Sequence, residues 1–221
     1  ILPDTCEELF SKGVDVITSG NHIWDRQEII PYIAKKNNLL RPLNYSNTCP
    51  GNGSYVYNDQ LGNRVLVINI MCQLFMNPLN CPFETIEKIL ANYKIGETIT
   101  AISIDLHGEA SSEKMAIAHA FDGRVTMIIG THTHVPTSDL QILNNGTTYQ
   151  TDAGMCGDYN SVIGGEKQLW VDKFRRKMPV GKIRSARGNA SFCGVLVDIN
   201  TDTGFAYKAN QVIIGGVLKN R

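Results

Sequence analysis

The chain has no excess of either charge: 21 Lys and Arg stand against 21 Asp and Glu, for a formal net charge of zero. A balanced chain exerts no long-range pull on long nucleic acid or an anionic membrane, so neither is expected as a partner. A small anionic substrate remains compatible, because bound cations can hold one locally. No apolar run approaches the roughly 20 residues of a membrane span. None of the six cysteines (Cys6, Cys49, Cys72, Cys81, Cys156, Cys193) forms a C-x-x-C pair, and their spacing is irregular. The expectation is buried, reduced thiols in a cytoplasmic protein, not a disulfide framework. There is no initiator Met and no signal peptide at Ile1-Leu2-Pro3-Asp4, which gives the expectation that the chain starts inside a domain. Repeats, low-complexity tracts and linkers are absent too. With 221 residues, 43% of them hydrophobic, a single domain over 1–221 is expected.

What is present alternates between helix and strand signals. Pro3-Asp4-Thr5 leads into a helix over Cys6–Lys12, with Gly13 as its C-terminal stop. Val14–Thr18 is a β-branched run that reads as a buried strand. Asp25 reads as the N-cap of a helix towards Lys36, interrupted or kinked at Pro31. Residues 41–54 are rich in Pro, Asn and Gly and read as a loop. Strands follow over Ser54–Tyr57 and Val65–Ile70, then a helix over Pro82–Asn92 and a strand over Thr98–Leu106. Ser111 or Ser112 is expected to cap a helix that runs to about Phe121, and Val125–Gly130 is the next buried strand. Beyond it come two hairpin signals, Leu140–Leu143 with Thr147–Thr151 around Asn144-Asn145-Gly146, and Ser191–Asn200 with Phe205–Ile214. A helix over Gly165–Arg176 lies between them. The class is α/β, with helices layered over sheets.

Histidine is scarce, with five in the chain. Four of them, His22, His107, His132 and His134, fall at the expected ends of buried strands or just beyond. In open α/β sheets ligands bind outside the C-terminal ends of the strands. In Thr131-His132-Thr133-His134 the two imidazoles stand at i and i+2, so in an extended segment they point to one side. They suit one metal ion, or one each of a pair. Imidazole with amide and carboxylate oxygen fits Mn, Fe or Zn better than Ca or Mg. Asn21 offers an amide oxygen, His22 an imidazole acid, and His107 follows Asp105 at another strand end. Alone, His107 is more simply a capped strand end and Asn21-His22 a turn, whereas for the His132/His134 pair the two readings balance. Three at three strand ends point to a shared site, and two adjacent cations can clamp a phosphate for in-line attack. His119, between Ala118 and Ala120 in a helix, reads as structural or solvated.

These residues resemble a known family. Gly20-Asn21-His22 and Gly130-Thr131-His132-Thr133-His134 are similar to the G-N-H and G-H-x-H motifs of calcineurin-like metallophosphoesterases. With Gly20–Asp25, Arg41–Tyr45, Asp105–Lys114, Gly130–Val135 and Thr151–Gly157 in that order, the chain resembles the bacterial YmdB-type subfamily. That subfamily is described as 2′,3′-cyclic-nucleotide 2′-phosphodiesterases. The resemblance spans nearly the whole chain and implies a layered α/β/β/α sandwich. It implies two divalent cations, Fe or Mn first, with Zn or Mg as alternatives. Asn21, His107 and His132 match ligands of one metal, His134 matches a ligand of the other, and His22 matches the residue that assists the leaving oxygen. The substrate implied is a small nucleotide or phosphodiester. The family's opening strands, with a G-D-I-type Asp and an E-N-type Glu-Asn, have no counterpart here. The expectation is therefore a domain lacking its first two strands, and a poor or inactive enzyme as the chain stands. Asn69–Met76 also departs from the pattern, which has Gly-Arg near Cys72-Gln73.

Two other functions compete with a phosphodiesterase. One is a metal-binding regulatory or scaffold protein without turnover. The other is a mononuclear amide hydrolase with a general-base carboxylate such as Glu109. The sequence leaves the oligomeric state open, a homo-oligomer included.

Overall fold

The computed structural model describes residues 1–218. The last three residues of the expected 1–221 domain lie outside the described residues. Its centre is a six-stranded mixed sheet in the order β3-β4-β5-β6-β8-β7. The inner strands β4 (Arg64–Met71), β5 (Ala101–His107), β6 (Met127–Thr131) and β8 (Thr148–Gln150) run parallel. At the edges β3 (Ser54–Asn58) and β7 (Gln141–Ile142) pair antiparallel with β4 and β8. The period-2 alternation of a strand then divides the residues. Leu66, Ile68 and Ile70 of β4 and Ile102, Ile104 and Leu106 of β5 pack in one apolar core. Ile86 and Leu90 of helix α3 (Pro82–Leu90), Ile117 and Ala118 of helix α4 (Ser111–Ala120), and Phe121 just after it complete that core. The alternate residues of the same strands, Asn69, Asp105 and His107 among them, face the other way.

On that second face stands a smaller unit. Helix α1 (Pro3–Ser11), the short parallel pair β1 (Ile17–Thr18) and β2 (Leu39–Leu40), and helix α2 (Ile29–Ile33) enclose Cys6, Ile17, Ile23, Ile29, Ile33 and Leu39. A third sheet joins β9 (Gly157–Asp158), β10 (Ala190–Ile199) and β11 (Ala206–Ile214) in the order β11-β10-β9. It is tied to the main sheet by the Ala206 amide on the Gly146 carbonyl at 3.3 Å and by the Gln211 amide group on the Thr137 carbonyl at 3.1 Å. Helix α5 (Lys167–Arg176) lies in the excursion between β9 and β10. Among the described residues no helix is long and apolar enough to cross a membrane.

Both hairpins form where the Gly-containing turns place them. Several boundaries differ from expectation. The first strand is two residues long, not five, because Gly13 and Val14 still close off α1 through the carbonyls of Phe10 and Leu9. The Asp25–Lys36 helix is reduced to Ile29–Ile33, and residues 23–28 form turns and a bend. Pro31 then falls in the first turn, where its missing N–H costs no helical bond. Asp25 is not a cap but a partner of His22. The fifth strand starts at Ala101, since Thr98 folds back onto Lys94 through both its amide and its hydroxyl. The α4 N-cap is Ala110 with no side-chain cap bond, so neither Ser111 nor Ser112 fills that role. The strands β2 and β9 were not foreseen.

No disulfide is formed, and Cys6, Cys72 and Cys193 are buried, whereas Cys156 is exposed, contrary to the expectation of burial. Burial, followed by the nearby Glu113 carboxylate, pushes the Cys72 thiol up to about 12. Almost none of it is thiolate near pH 8, and the thiolate is the reactive form. Iodoacetamide on the folded chain should therefore modify Cys156 first, and Cys72 only after denaturation. Peptide mapping by mass spectrometry checks this, and early alkylation of Cys72 would contradict the packing of α4 on the sheet.

Candidate metal centre and hydrolytic site

The parallel register of β5 and β6 sets His107 directly beside Thr131, so the ends of these strands deliver His107 and His132 to one place. The third contributor arrives from the opposite unit. After β1 the chain makes a single 3₁₀ turn over Gly20–His22. Gly20 has φ +75°, and a Cβ there would lie 2.4 Å from the His107 ring. The Gly20 amide is held by Asn69 Oδ1 at 3.2 Å, which fixes the turn against β4. Glycine is thus required twice, for the left-handed conformation and for the closeness of the imidazole.

The hydrogen bonds assign the tautomers. Thr131 donates its hydroxyl to Asp105 Oδ1 at 2.7 Å, so its oxygen accepts from His107 Nδ1 at 2.9 Å. That leaves the His107 proton on Nδ1 and a lone pair on Nε2. His132 Nε2 stands 3.1 Å from Glu109 Oε2 and donates there, which leaves the lone pair on Nδ1. His107 Nε2 lies 2.6 Å from Asn21 Oδ1 and 3.2 Å from His132 Nδ1. Burial, then the neighbouring His132, depresses the His107 imidazolium to about 3, and burial likewise lowers His132. Two neutral imidazole lone pairs and an amide oxygen therefore converge without a proton to share. Acceptors crowded in this way suit a cation, with Thr131 and Glu109 as the outer partners that orient the rings. Among the described residues no group of three His, Cys, Asp or Glu has this geometry; the convergent set is two imidazoles and an amide.

Beneath the His132–His134 segment lies a buried ammonium. Lys114 of α4 is fully buried and donates to the carbonyls of Thr131 at 2.7 Å and Thr151 at 3.0 Å and to Asp152 Oδ2 at 3.3 Å. Its three N–H groups are all used. Asp152 in turn accepts the amides of Thr133 and Gly154, each at 2.9 Å. The segment needs such support, because His132 (φ 105°) and His134 (φ 67°) both occupy the left-handed region that non-glycine residues avoid.

His134 Nδ1 lies 2.9 Å from the Ile163 carbonyl and donates to it, so its lone pair is on Nε2. His22 is exposed beside the centre, with Nδ1 2.9 Å from Asp25 Oδ2. The structure therefore brings Asn21, His107 and His132 into direct contact, with His22 and His134 on the rim. His119 is exposed on α4, as expected for a solvated residue. The supporting residues Asp25, Glu109, Thr131, Lys114 and Asp152 were not assigned these roles from sequence. The departing loop at Cys72-Gln73 is capped by Glu113, whose carboxylate accepts the Gln73 and Leu74 amides at 2.8 and 2.9 Å.

Two substitutions test this construction. Gly20→Ala should displace the His107 ring and weaken metal uptake at least about tenfold, with little change in helix content. Lys114→Met should cost about 3–5 kcal/mol, because Asp152 and two carbonyls lose a buried partner. Metal titration and urea unfolding, respectively, read these effects.

Comparison with known proteins agrees with the geometry. The profile of the family described as YmdB-like protein matches residues 1–212. The chain is 38% identical over 206 residues to a 2′,3′-cyclic-nucleotide 2′-phosphodiesterase of Bacillus subtilis (strain 168), covering 93% of this chain and 76% of that protein. It is 33% identical over 219 residues to a putative phosphatase/phosphodiesterase of Mycoplasma pneumoniae, covering 94% and 74%. A hypothetical protein from Thermus thermophilus superposes with TM-score 0.90 at 35% identity, over 98% of this chain and 82% of its own. A crystal structure described as a novel phosphatase from Mycoplasma pneumoniae gives 0.89 at 30% identity, over 97% and 77%. The fold is of the calcineurin-like phosphoesterase type, and the chain belongs to the YmdB-like family and with it to the phosphoric diester hydrolases.

Proposed function

We propose that the chain is a metal-dependent phosphodiesterase that opens 2′,3′-cyclic nucleotides at the 2′-oxygen. The observation that carries this reading is the convergence of Asn21 Oδ1, His107 Nε2 and His132 Nδ1 as unprotonated donors within 2.6 and 3.2 Å. These three would hold one divalent cation, and His134 Nε2 would contribute to a second. The nitrogen-rich donors favour Mn, Fe or Zn. When bound, such cations polarise the phosphoryl group and make water a nucleophile at neutral pH. His22, oriented through Nδ1 by Asp25, presents Nε2 to the leaving oxygen and donates a proton as the P–O2′ bond breaks. Water adds to phosphorus, and the product is the 3′-phosphate with a free 2′-hydroxyl.

Amide hydrolysis at a single metal is disfavoured by Glu109. The carboxylate it would use as a general base is engaged with His132 Nε2, on the opposite side of the ring from the convergent Nδ1.

His22→Ala should retain metal and slow 2′,3′-cyclic AMP hydrolysis by ~10²–10⁴-fold, whereas His132→Ala should lose metal. Elemental analysis beside a rate assay decides. Equal metal loss in both variants would remove His22 from the acid role. Full metal occupancy without turnover, both in this chain and in one extended by the family's opening strands, would favour the regulatory reading instead.

A further inference from the structure

The formal net charge of zero conceals a division. Between Ile163 and Gly188 the chain carries eight Lys and Arg (Lys167, Lys173, Arg175, Arg176, Lys177, Lys182, Arg184, Arg187) against Glu166 and Asp172, a local charge of +6. The remainder therefore stands at −6. All eight cations are exposed. Among the described residues only Arg176 meets a carboxylate, Asp172 at 3.7 Å. A concentration of cations without carboxylate partners on one excursion raises the local potential whatever the total charge.

The same excursion carries an aromatic step. Trp170 and Phe174, one turn apart on α5, stack with ring centroids 5.5 Å apart and planes within 20°. Lys173 lies 4.7 Å from the centre of the Trp170 ring. Phe174 is 66% exposed, so one ring face remains open at the end of the stack. Beside it runs an open cleft of about 760 Å³, lined by Lys173, Phe174, Lys177, Met178, Val180 and Ile183. A cationic groove with an exposed ring is the combination that holds single-stranded nucleic acid, where phosphates meet cations and a base stacks on the aromatic face.

The excursion is also fastened to the hydrolytic site. The Ile163 carbonyl at its start accepts from His134 Nδ1 at 2.9 Å. Its two ends are held together by Asp158, which accepts the Asn160 amide at 2.8 Å and the Gly188 amide at 3.0 Å. The Ala186 amide on the Gly164 carbonyl, at 2.8 Å, closes it further. The basic surface thus begins at a histidine of the candidate metal centre.

We infer that the 163–188 excursion is a docking surface for single-stranded RNA, and that the substrate is the 2′,3′-cyclic phosphate at the 3′ end of an oligoribonucleotide. This rests on the function proposed above and names its substrate class. An anionic membrane is the other occupant a basic, partly apolar helix suits. The stacked ring pair and the continuity with a phosphodiester site favour RNA.

The test uses the whole chain and two labelled RNAs of about twelve nucleotides, within the span that one such surface covers. One ends in a 3′-hydroxyl and reports binding by fluorescence anisotropy. The other ends in a 2′,3′-cyclic phosphate and reports turnover beside mononucleotide 2′,3′-cyclic AMP. The parent chain should bind RNA with an affinity that falls with salt. Combined Lys173→Gln, Arg175→Gln and Lys182→Gln should weaken binding about tenfold and reduce the log–log salt slope by about 2. Phe174→Ser should weaken binding without changing that slope. Mononucleotide turnover should be unchanged in both, while KM for the RNA end rises. Salt-independent or absent RNA binding by the parent overturns the inference. So does binding to phosphatidylglycerol vesicles in place of RNA, or equal loss of mononucleotide and RNA turnover in the triple variant. If neither cyclic phosphate is hydrolysed by this chain or by one extended with the family's opening strands, the proposed function fails, while the anisotropy arm still decides the docking surface.

Discussion

Everything at the hydrolytic end of the sheet leans on one buried cation. Lys114 reaches from α4 through the core to the point where β6 and β8 end, and its ammonium is shared between two strand carbonyls and Asp152. Removing such a charge from water is costly, and it is tolerated because each N–H has an acceptor. The interaction spans helix, strand ends and the histidine segment at once. It holds the Thr131 carbonyl directly and, through Asp152, the Thr133 amide. His132 and His134 are thereby kept in backbone conformations they would not adopt alone. Gly130 belongs to the same arrangement, since a Cβ there would collide with the Thr151 carbonyl at 1.7 Å.

The sheet organises chemistry by facing. One face of β4 and β5 is apolar and closed by α3 and α4. The other carries Asn69, Asp105 and His107: Asn69 and His107 reach Gly20 and Asn21 of the smaller unit, while Asp105 accepts from Asn69 beside it and from Thr18 across the gap. Asp105 is part-buried, and desolvation raises its pKa, opposed by hydrogen bonds from Thr131 and Thr18. A polar strip of this kind is tolerated only because nearly every group in it is paired. The result is a rigid floor that decides which nitrogen of each imidazole bears its proton.

Strand ends were legible because β-branched and apolar runs stop abruptly at Gly20, His107 and Thr131, and scarce histidines follow at once. β-forming runs located β4 and β5, and the Gly-containing turns located both hairpins. What stayed hidden depends on contacts distant in sequence. A lysine in a helix reads as solvated unless its acceptors are known, and those of Lys114 lie 17 to 38 residues away. Asp25 precedes a plausible helix and so reads as a cap, although its geometry serves His22. Glu109 offered a base by proximity to His107 in sequence, yet its carboxylate is engaged by His132. Summed charge hid the basic excursion, because an average over the chain erases where charge sits.

The contact between Asn21 and His107 joins residues 86 positions apart. No local fragment contains both, and no early hairpin or helix can assemble the donor set. The centre exists only once the β1 unit has closed over β5. A cation that favours this arrangement over the open chain therefore adds its binding free energy to the closure itself, by mass action. With the proposed cation bound, metal supply and chain topology would be thermodynamically linked, and starving the protein of cation would loosen the seam between its two halves before it disturbed either half alone.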